Sequence, residues 1–488
     1  MVHSTEVYPA TSGLDDQQLE TLLNTQKTAF RQTPMPTAQQ RIRNLDRLHN
    51  ALLDYKDRLI ASISNDFGNR AESETLLAEI LPLLEGIAYN RARLGKWMKP
   101  QRRHVPLTLQ PASVKVLYQP LGVIGIVVPW NFPLFLGLSP LIGALAAGNR
   151  AMIKTSEFAP KTSAVIREML GSVFSQDEVA VIEGDVEVSQ AFTRLPFDHL
   201  LFTGAVPVGR IVMRAAAENL TPVTLELGGK SPAIIHPEFP MDEAAKRLLF
   251  GKCFNAGQIC VAPDYVLCPR SQVDDFVQAV IQTVSNSYPS MVSNDDYTAI
   301  INPRQQQRLS AYLHDAEEKG AQLITINPAN ETFDGSDKMP VTLVLNGTDD
   351  MLVHQEEIFG PILPILPYDD INDAIDYVND RPRPLALYYF DWDTRRADQI
   401  LKRTHSGGVC INDTLSHVAA DDIPFGGIGD SGMGHYHGKE GFLTFSKTKG
   451  VVRKGKLNIT ELVAPPWGNR LYRLLMKWMW LRFRKKPL

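Results

Sequence analysis

Between Gly122 and Glu226 the sequence alternates short apolar runs with helical stretches, joined by few residues. Gly122-Val-Ile-Gly-Ile-Val-Val128 is continuously apolar, as a strand covered on both faces must be. Leu134 to Ala147 has helical composition, Arg150 to Lys154 is a strand, and Lys161 to Val173 a helix. Val179 to Ile182, His199 to Phe202 and Val223 to Glu226 continue the strands, with helices Val186 to Thr193 and Val208 to Glu218 between them. Strict β-α alternation admits few folds. It requires a parallel α/β sheet with right-handed crossovers. Such sheets bind ligands beyond the carboxyl ends of their strands. Asn131, Lys154, Glu157, Gly184, Thr203, Gly204 and Glu226 all fall at such ends.

A second alternating block follows, with helices at 241–254, 271–287, 304–319, 370–379 and 395–404. Its strands are expected at 264–268, 321–325, 341–345, 386–390 and 408–412. This block reads as a separate α/β domain facing the first, and the cleft between two such domains is the expected site. Residues 14 to 98 read as helices, from Leu19, Leu22, Leu23, Ile42, Leu45, Leu48 and Leu52 at helical spacing, and show no chemistry. Residues 99 to 112 are polar and basic and read as a connection. At 488 residues the chain can hold two or three domains.

Other function classes fall away on composition. A net charge of −4 gives no overall affinity for nucleic acid. Four cysteines without a CxxC pair argue against a disulfide framework or a zinc site, and no metal is expected. Met1 to Glu6 lacks a basic region followed by an apolar core, so no signal peptide is expected, and no apolar run is long enough to span a bilayer. A cytoplasmic enzyme fits these features. Trp467 to Lys486 is different. It carries Arg470, Arg473, Lys477 and Arg484 on one helical face, Leu471, Leu474, Leu475, Trp478, Met479 and Leu481 over much of the rest, and no acid. That is the pattern of an interfacial helix touching the membrane peripherally, or of an arm packed on a partner subunit.

Cys260 stands apart from the other thiols. Gly257 ends the preceding helix and Pro263 delays the next regular element, so Cys260 sits on an irregular segment where a substrate can reach it. Cys253, Cys268 and Cys410 lie in helix or strand and read as small core residues.

Several motifs occur in order: Pro129-Trp-Asn131-Phe-Pro133, Lys154-Thr-Ser-Glu157, Phe202-Thr-Gly204-Ala-Val-Pro-Val-Gly209, Leu225-Glu226-Leu-Gly-Gly-Lys230, Gly257-Gln-Ile-Cys260, Glu356-Glu357-Ile-Phe359 and Pro424-Phe-Gly-Gly427. In this order the chain resembles the aldehyde dehydrogenase superfamily to about residue 450. Leu220 to Lys230 and Phe425 to Gly438 resemble its class 3 branch. Asp66 to Arg70 and Asn255 to Tyr265 are similar to bacterial coniferyl aldehyde dehydrogenases.

The resemblance implies an NAD(P)-dependent oxidation of an aldehyde, aromatic or medium- to long-chain aliphatic, to the acid. It makes Cys260 the nucleophile, Asn131 the oxyanion donor and Glu226 the base that activates water. It places Lys154 and Glu157 on the adenosine ribose, which favours NAD and leaves NADP possible. Glu357 falls on the nicotinamide ribose with Phe359 packed beside it. Thr203, Gly204 and Gly209 belong to the turn against the pyrophosphate, and Trp130 and Gly184 line the same groove. Ala205 stands where many members have Ser. A homodimer is also implied. The implied division is a Rossmann-like cofactor domain (1–98 and 120–224), a catalytic domain (225–415), a bridging extension (99–119 and 416–450) and the basic tail (451–488). The rivals are an acylating enzyme that passes the thioester to coenzyme A, and a non-catalytic binding protein on the same scaffold. Gly427-Ile-Gly429-Asp-Ser-Gly432 satisfies GxGxxG but lacks the flanking strand and helix of a dinucleotide fingerprint. His435 and His437 beside it are expected to be solvated.

Overall fold

The computed structural model describes residues 13–456, 458, 464–481 and 483. Met1 to Glu6, read above for a leader, and Arg484 to Lys486 of the tail lie outside the described residues.

Two α/β sheets and one small antiparallel sheet make up the strands. The first large sheet runs Gly432–Met433, Val223–Leu227, His199–Gly204, Val123–Val127, Arg150–Lys154, Val179–Ile182. All neighbours in it are parallel except the first pair, where Gly432 lies opposite Glu226 and Met433 opposite Leu225. Val123, Ile124 and Ile126 are wholly buried, which is why that run carries no polar alternation. The helix Phe135–Ala147 behind it is buried almost all round, Pro140 included, and stops at left-handed Gly148 (φ 91°). On the outside, Ala38–Phe67 packs against Pro160–Val173 and buries Leu45, Leu48 and Leu52.

The second sheet runs Gln322–Ile326, Val341–Leu345, Ile362–Tyr368, Tyr265–Pro269, Pro232–Ile235, Ala386–Phe390, Gly408–Ile411. Only the first pair is antiparallel. Two of its strands were not visible in the sequence. Pro232–Ile235 has four residues and begins with proline, and Ile362–Tyr368 contains Pro364 and Pro367. Proline removes a ladder donor, so such a run does not read as a central strand.

The third sheet pairs Ala112–Pro120 with Gln101–Arg102 on one side and Ser446–Lys454 on the other. The stretch read as a plain connection thus already contains strand. Ser446–Lys454 was also missed, because it is mostly exposed and rich in lysine, and it runs through the boundary expected at residue 450.

Candidate active site

The helix Met241–Cys253 ends in a 3-10 turn, Phe254–Gly257. Asn255 (φ 50°), Ala256 (φ 50°) and Gly257 (φ 74°) are consecutive left-handed residues. For a residue with a side chain this conformation costs about 1–2 kcal/mol, so the surroundings must impose it. They do so through hydrogen bonds. The backbone N–H of Asn255 donates to Glu74 Oε1 (3.0 Å), and its side-chain amide donates to the carbonyls of Asn131 (3.3 Å) and Gln258 (3.2 Å). The buried Gln258 amide donates to the carbonyls of Asn255 and Ala299 (both 3.0 Å) and accepts from Ile301 N–H (3.1 Å). At Gly257 a Cβ would lie 2.5 Å from the carbonyl of Gly360, so only glycine fits. The turn delivers Cys260, partly buried, to a cavity of about 1070 Å³.

Trp130, Asn131, Thr203, Gly204, Glu226, Cys260, Glu357 and Phe359 line that cavity together. Trp130 and Phe359 meet edge to face at 5.3 Å. Lys154, Glu157, Gly184 and Gly209 are not among its lining residues. Lys154 Nζ donates to the carbonyls of Thr155 and Gly184 (both 2.7 Å), tying together the ends of two neighbouring strands. Gly184 has φ 146°, and a Cβ there would strike Val188. Glu157 is exposed, and Gly209 sits against Leu227.

Asn131 is held from both ends. Its Nδ2 donates to the carbonyl of Gln258 (3.1 Å), and its own carbonyl accepts from Arg70 (3.2 Å). Arg70 forms a fully buried ion pair with Glu79 (2.8 Å) and lies over the Phe132 ring at 4.6 Å. The other Glu79 oxygen accepts from the N–H groups of Leu134 and Phe135 (2.8 and 2.9 Å), where the helix Phe135–Ala147 begins. Glu79 lies in a π-helical turn, Leu76–Ile80, between two α-helical segments.

The cleft is electrostatically unusual. Both oxygens of Glu226 are buried without a hydrogen-bond partner in the described structure, and burial pushes its pKa well up. Burial, then Asp264, pushes Glu357 to about 8. Burial first, then Glu357 and Glu226, pushes the Cys260 thiol to about 12. Burial of two carboxyls near a thiol favours the neutral form of each. Lys230 bonds to Asp264 and donates to the carbonyls of Val353 and Glu356 (both 2.9 Å). Asp264 also accepts from Ile358 N–H (2.9 Å), and Arg308 donates to the carbonyls of Glu357 (3.2 Å) and Ile358 (2.7 Å). Both chain walls around Glu357 are therefore fixed.

Sequence reasoning missed the roles of Glu74 and Glu79, because charged residues in an amphipathic helix read as a solvated face, and that of Arg70, whose burial in the connection between two helices depends on distant partners. It also missed Tyr436, which is buried, has no hydrogen-bond partner for its hydroxyl among the described residues, and has its pKa pushed up by burial first and then by coupling to Glu226 and Cys260. His437 corrects the expectation of solvation: it is 6% exposed and stacks on Phe425 at 5.1 Å. His435 remains half exposed. Among the described residues no group of three or more His, Cys, Asp or Glu side chains is placed to hold a metal ion.

A cysteine, an amide and an unpaired carboxyl thus converge between two α/β sheets. A profile of the aldehyde dehydrogenase family matches residues 3–451. The chain belongs to that family. A probable coniferyl aldehyde dehydrogenase of Pseudomonas aeruginosa is 56% identical to this aldehyde dehydrogenase over 94% of this chain and 96% of its own. A coniferyl aldehyde dehydrogenase of a Pseudomonas species is 46% identical, with 94% and 96% covered. The substrate-bound Staphylococcus aureus AldH has the same fold (TM-score 0.89, 36% identity, 96% of this chain and 99% of that one). So has a Mycobacterium tuberculosis aldehyde dehydrogenase complexed with NAD+ (TM-score 0.82, 30% identity, 91% of each chain).

Proposed function

We propose that this aldehyde dehydrogenase oxidises an aldehyde to its carboxylic acid with NAD, or NADP, through a thioester on Cys260. The observation that carries this reading is the meeting of Cys260, Asn131 and Glu226 in one cavity. Aromatic aldehydes of the coniferyl type are the preferred substrates, on the strength of relatives that carry that name, with medium- and long-chain aliphatic aldehydes next.

The cleft suits a dinucleotide. The helix Val206–Glu218 opens at Ala205 with no side-chain cap, and Thr203 to Pro207 line the cavity. Free N–H groups and the positive end of a helix dipole favour a phosphate there. Lys154 and Glu157, two strands along the sheet, would hold the adenosine ribose, beside Gly184. Gly209 lets the helix lie close on Leu227. Glu357 and Phe359 would hold the nicotinamide end, with Trp130 packed edge to face on Phe359. When bound, the nicotinamide supplies the hydride acceptor and a positive charge that favours the Cys260 thiolate.

The protein's own residues do the rest. The Cys260 sulfur adds to the aldehyde carbon, and the carbonyl oxygen becomes an alkoxide. The second N–H of the Asn131 amide, left over after its bond to Gln258, and the backbone N–H of Cys260 stabilise that alkoxide. Loss of hydride leaves a thioester on Cys260. Glu226 takes a proton from the water that hydrolyses it, and a carboxyl with a raised pKa is a stronger base once ionised. A buried base facing the cysteine supports hydrolysis over transfer to coenzyme A.

The proposed domains are a cofactor domain at 1–98 and 120–224, a catalytic domain at 225–415, an extension at 99–119 and 416–450 and the tail at 451–488, with the strands Val223–Leu227 and Ser446–Lys454 crossing two of these bounds. The exposed outer edge of Ser446–Lys454 supports pairing into a homodimer. Four free cysteines fit a reducing cytoplasm. A peripheral membrane contact through the C-terminal helix completes the reading.

The test is absorbance of reduced nicotinamide with NAD or NADP and a panel of acetaldehyde, decanal, benzaldehyde and coniferaldehyde. Turnover that ranks coniferaldehyde first supports the reading. No turnover with any of them overturns it.

A further inference from the structure

Tyr436 is pinned by two backbone hydrogen bonds with Phe425, at 2.9 and 3.0 Å. The next residue, His437, has φ 89°, a left-handed value that a side chain resists, and Gly438 follows at φ 43°. A strained residue in a buried position points to a constraint other than its own stability. The His437 ring packs on Phe425 (5.1 Å), Tyr436 (4.6 Å) and Phe135 (6.1 Å), yet neither of its nitrogens has a hydrogen-bond partner in the described structure. Burial first, then His417, holds its pKa down at about 4, so at neutral pH the ring carries one donor and one acceptor.

His437 lines a recess of about 20 Å³ together with Asn90, Phe135, Ser139, Asp421 and Tyr436. Asn90 is 2% exposed; its amide donates to the carbonyl of Gly86 (2.8 Å), and its Oδ1 has no partner. Two buried side chains thus bring an acceptor and a donor to one small space, and such atoms are costly unless something pairs with them. None of the residues around the recess lines the cofactor cavity. It is reached along the helix that follows Asn131, where Phe135 and Ser139 stand one turn, about 6 Å, apart on one face. Tyr436 links it to the reaction centre, because its hydroxyl is electrostatically coupled to both Glu226 and Cys260.

We propose that this recess binds a hydroxyl on the aromatic ring of the substrate, which donates to Asn90 Oδ1 and accepts from the His437 N–H. The inference rests on the reading of the protein as an oxidiser of aromatic aldehydes, and it names the residues that choose among them. A volume of about 20 Å³ takes one oxygen and no ring. The hydroxyl alone therefore enters, and the ring stays on the Cys260 side against Phe135 and Tyr436. An aliphatic chain would leave Asn90 and His437 unpaired. An anionic group would meet Asp421, whose carboxyl is pushed up to about 6 by burial and then by Glu85, and is still mostly ionised at neutral pH. A neutral hydroxyl satisfies both conditions.

The test compares 4-hydroxycinnamaldehyde with cinnamaldehyde, which differ only in that hydroxyl. Calorimetry compares the binding of the two corresponding acids. The wild type should favour the hydroxylated aldehyde in kcat/KM, and the hydroxylated acid in Kd, by about tenfold, which is what one buried hydrogen bond supplies. His437→Phe and Asn90→Leu should each bring both ratios close to one. His437→Gln, which keeps a donor and an acceptor, should hold most of the preference. A merely structural role would change both aldehydes alike and leave the ratios intact, and ratios taken within one variant do not depend on how much of it is folded. Turnover of both aldehydes by the wild type with equal kcat/KM overturns the proposal. So do ratios that survive both substitutions. No turnover of either aldehyde, with the hydroxylated acid still bound about tenfold more tightly, would sink the oxidation reading and keep the hydroxyl site. No turnover and equal binding would sink both.

Discussion

Glu74 Oε1 accepts a 3.0 Å hydrogen bond from the backbone N–H of Asn255, the first left-handed residue of the turn that ends at Cys260. Its other oxygen accepts from Thr298 Oγ1 at 2.5 Å. A carboxylate from the N-terminal helices thus holds the nucleophile's loop from behind. Glu74→Ala would leave two buried donors without partners, at about 1–3 kcal/mol each. The variant should unfold at lower denaturant concentration and lose at least tenfold in kcat. Glu74→Gln, which keeps one acceptor, should fall between it and the wild type. Equal activity and stability of Glu74→Ala would show that the turn holds itself.

The Cys260 thiol, pushed to about 12, is almost wholly protonated at neutral pH in the absence of cofactor. Alkylation by iodoacetamide should therefore be slow at pH 7 and rise about tenfold per pH unit above it for as long as the protein stays folded. Added NAD should speed it by placing positive charge near the sulfur. Mass spectrometry of the labelled peptide would separate Cys260 from Cys253, Cys268 and Cys410. Cys260→Ala should lower turnover on the order of 10⁴-fold or more, as removal of a covalent nucleophile does.

Glu226→Gln tests the hydrolytic step. Its folding is not in question, because the carboxyl it replaces makes no hydrogen bond in the described structure and is strained by burial. The variant should release one equivalent of reduced cofactor per site in a burst and then stall. Intact-mass analysis should show the acyl group on the protein. Steady turnover without a burst would remove Glu226 from the role of base.

The pH dependence of stability follows from Glu357. Its folded pKa of about 8 lies above the ordinary value of 4.5, with burial as the main cause. A raised carboxyl binds its proton more tightly in the folded state than in the unfolded one. The protein should therefore be most stable below about pH 4.5 as far as this group is concerned. That contribution should be lost as pH rises to about 8. Glu357→Gln should flatten the melting temperature across that window. Because Glu226 is shifted in the same direction, Glu226→Gln should flatten it further.

The first sheet was legible because its strands are buried on both faces and write themselves as apolar runs, Val123 to Val127 above all. Cys260 was legible because Gly257 and Pro263 bracket it with backbone constraints. What stayed hidden is long-range. Ile362–Tyr368 is a central strand despite two prolines, and nothing local announces that. Glu74 and Glu79 look like surface charges on an amphipathic helix. Their burial depends on the π-helical turn at Leu76–Ile80 and on partners far along the chain, Thr298 and Asn255 for one and Leu134 and Phe135 for the other. The histidine pair after the glycine loop was misjudged at His437, because the stacking on Phe425 is tertiary.

The strand that carries Glu226 has its outer edge closed by Gly432–Met433, about two hundred residues further on. The ribosome delivers that edge late. A nascent chain that has emerged only to Cys260 already holds the nucleophile's segment but not the cover over Glu226. Val223–Leu227 is therefore paired on both sides only near the end of synthesis, so the first large sheet closes last at the strand that carries Glu226.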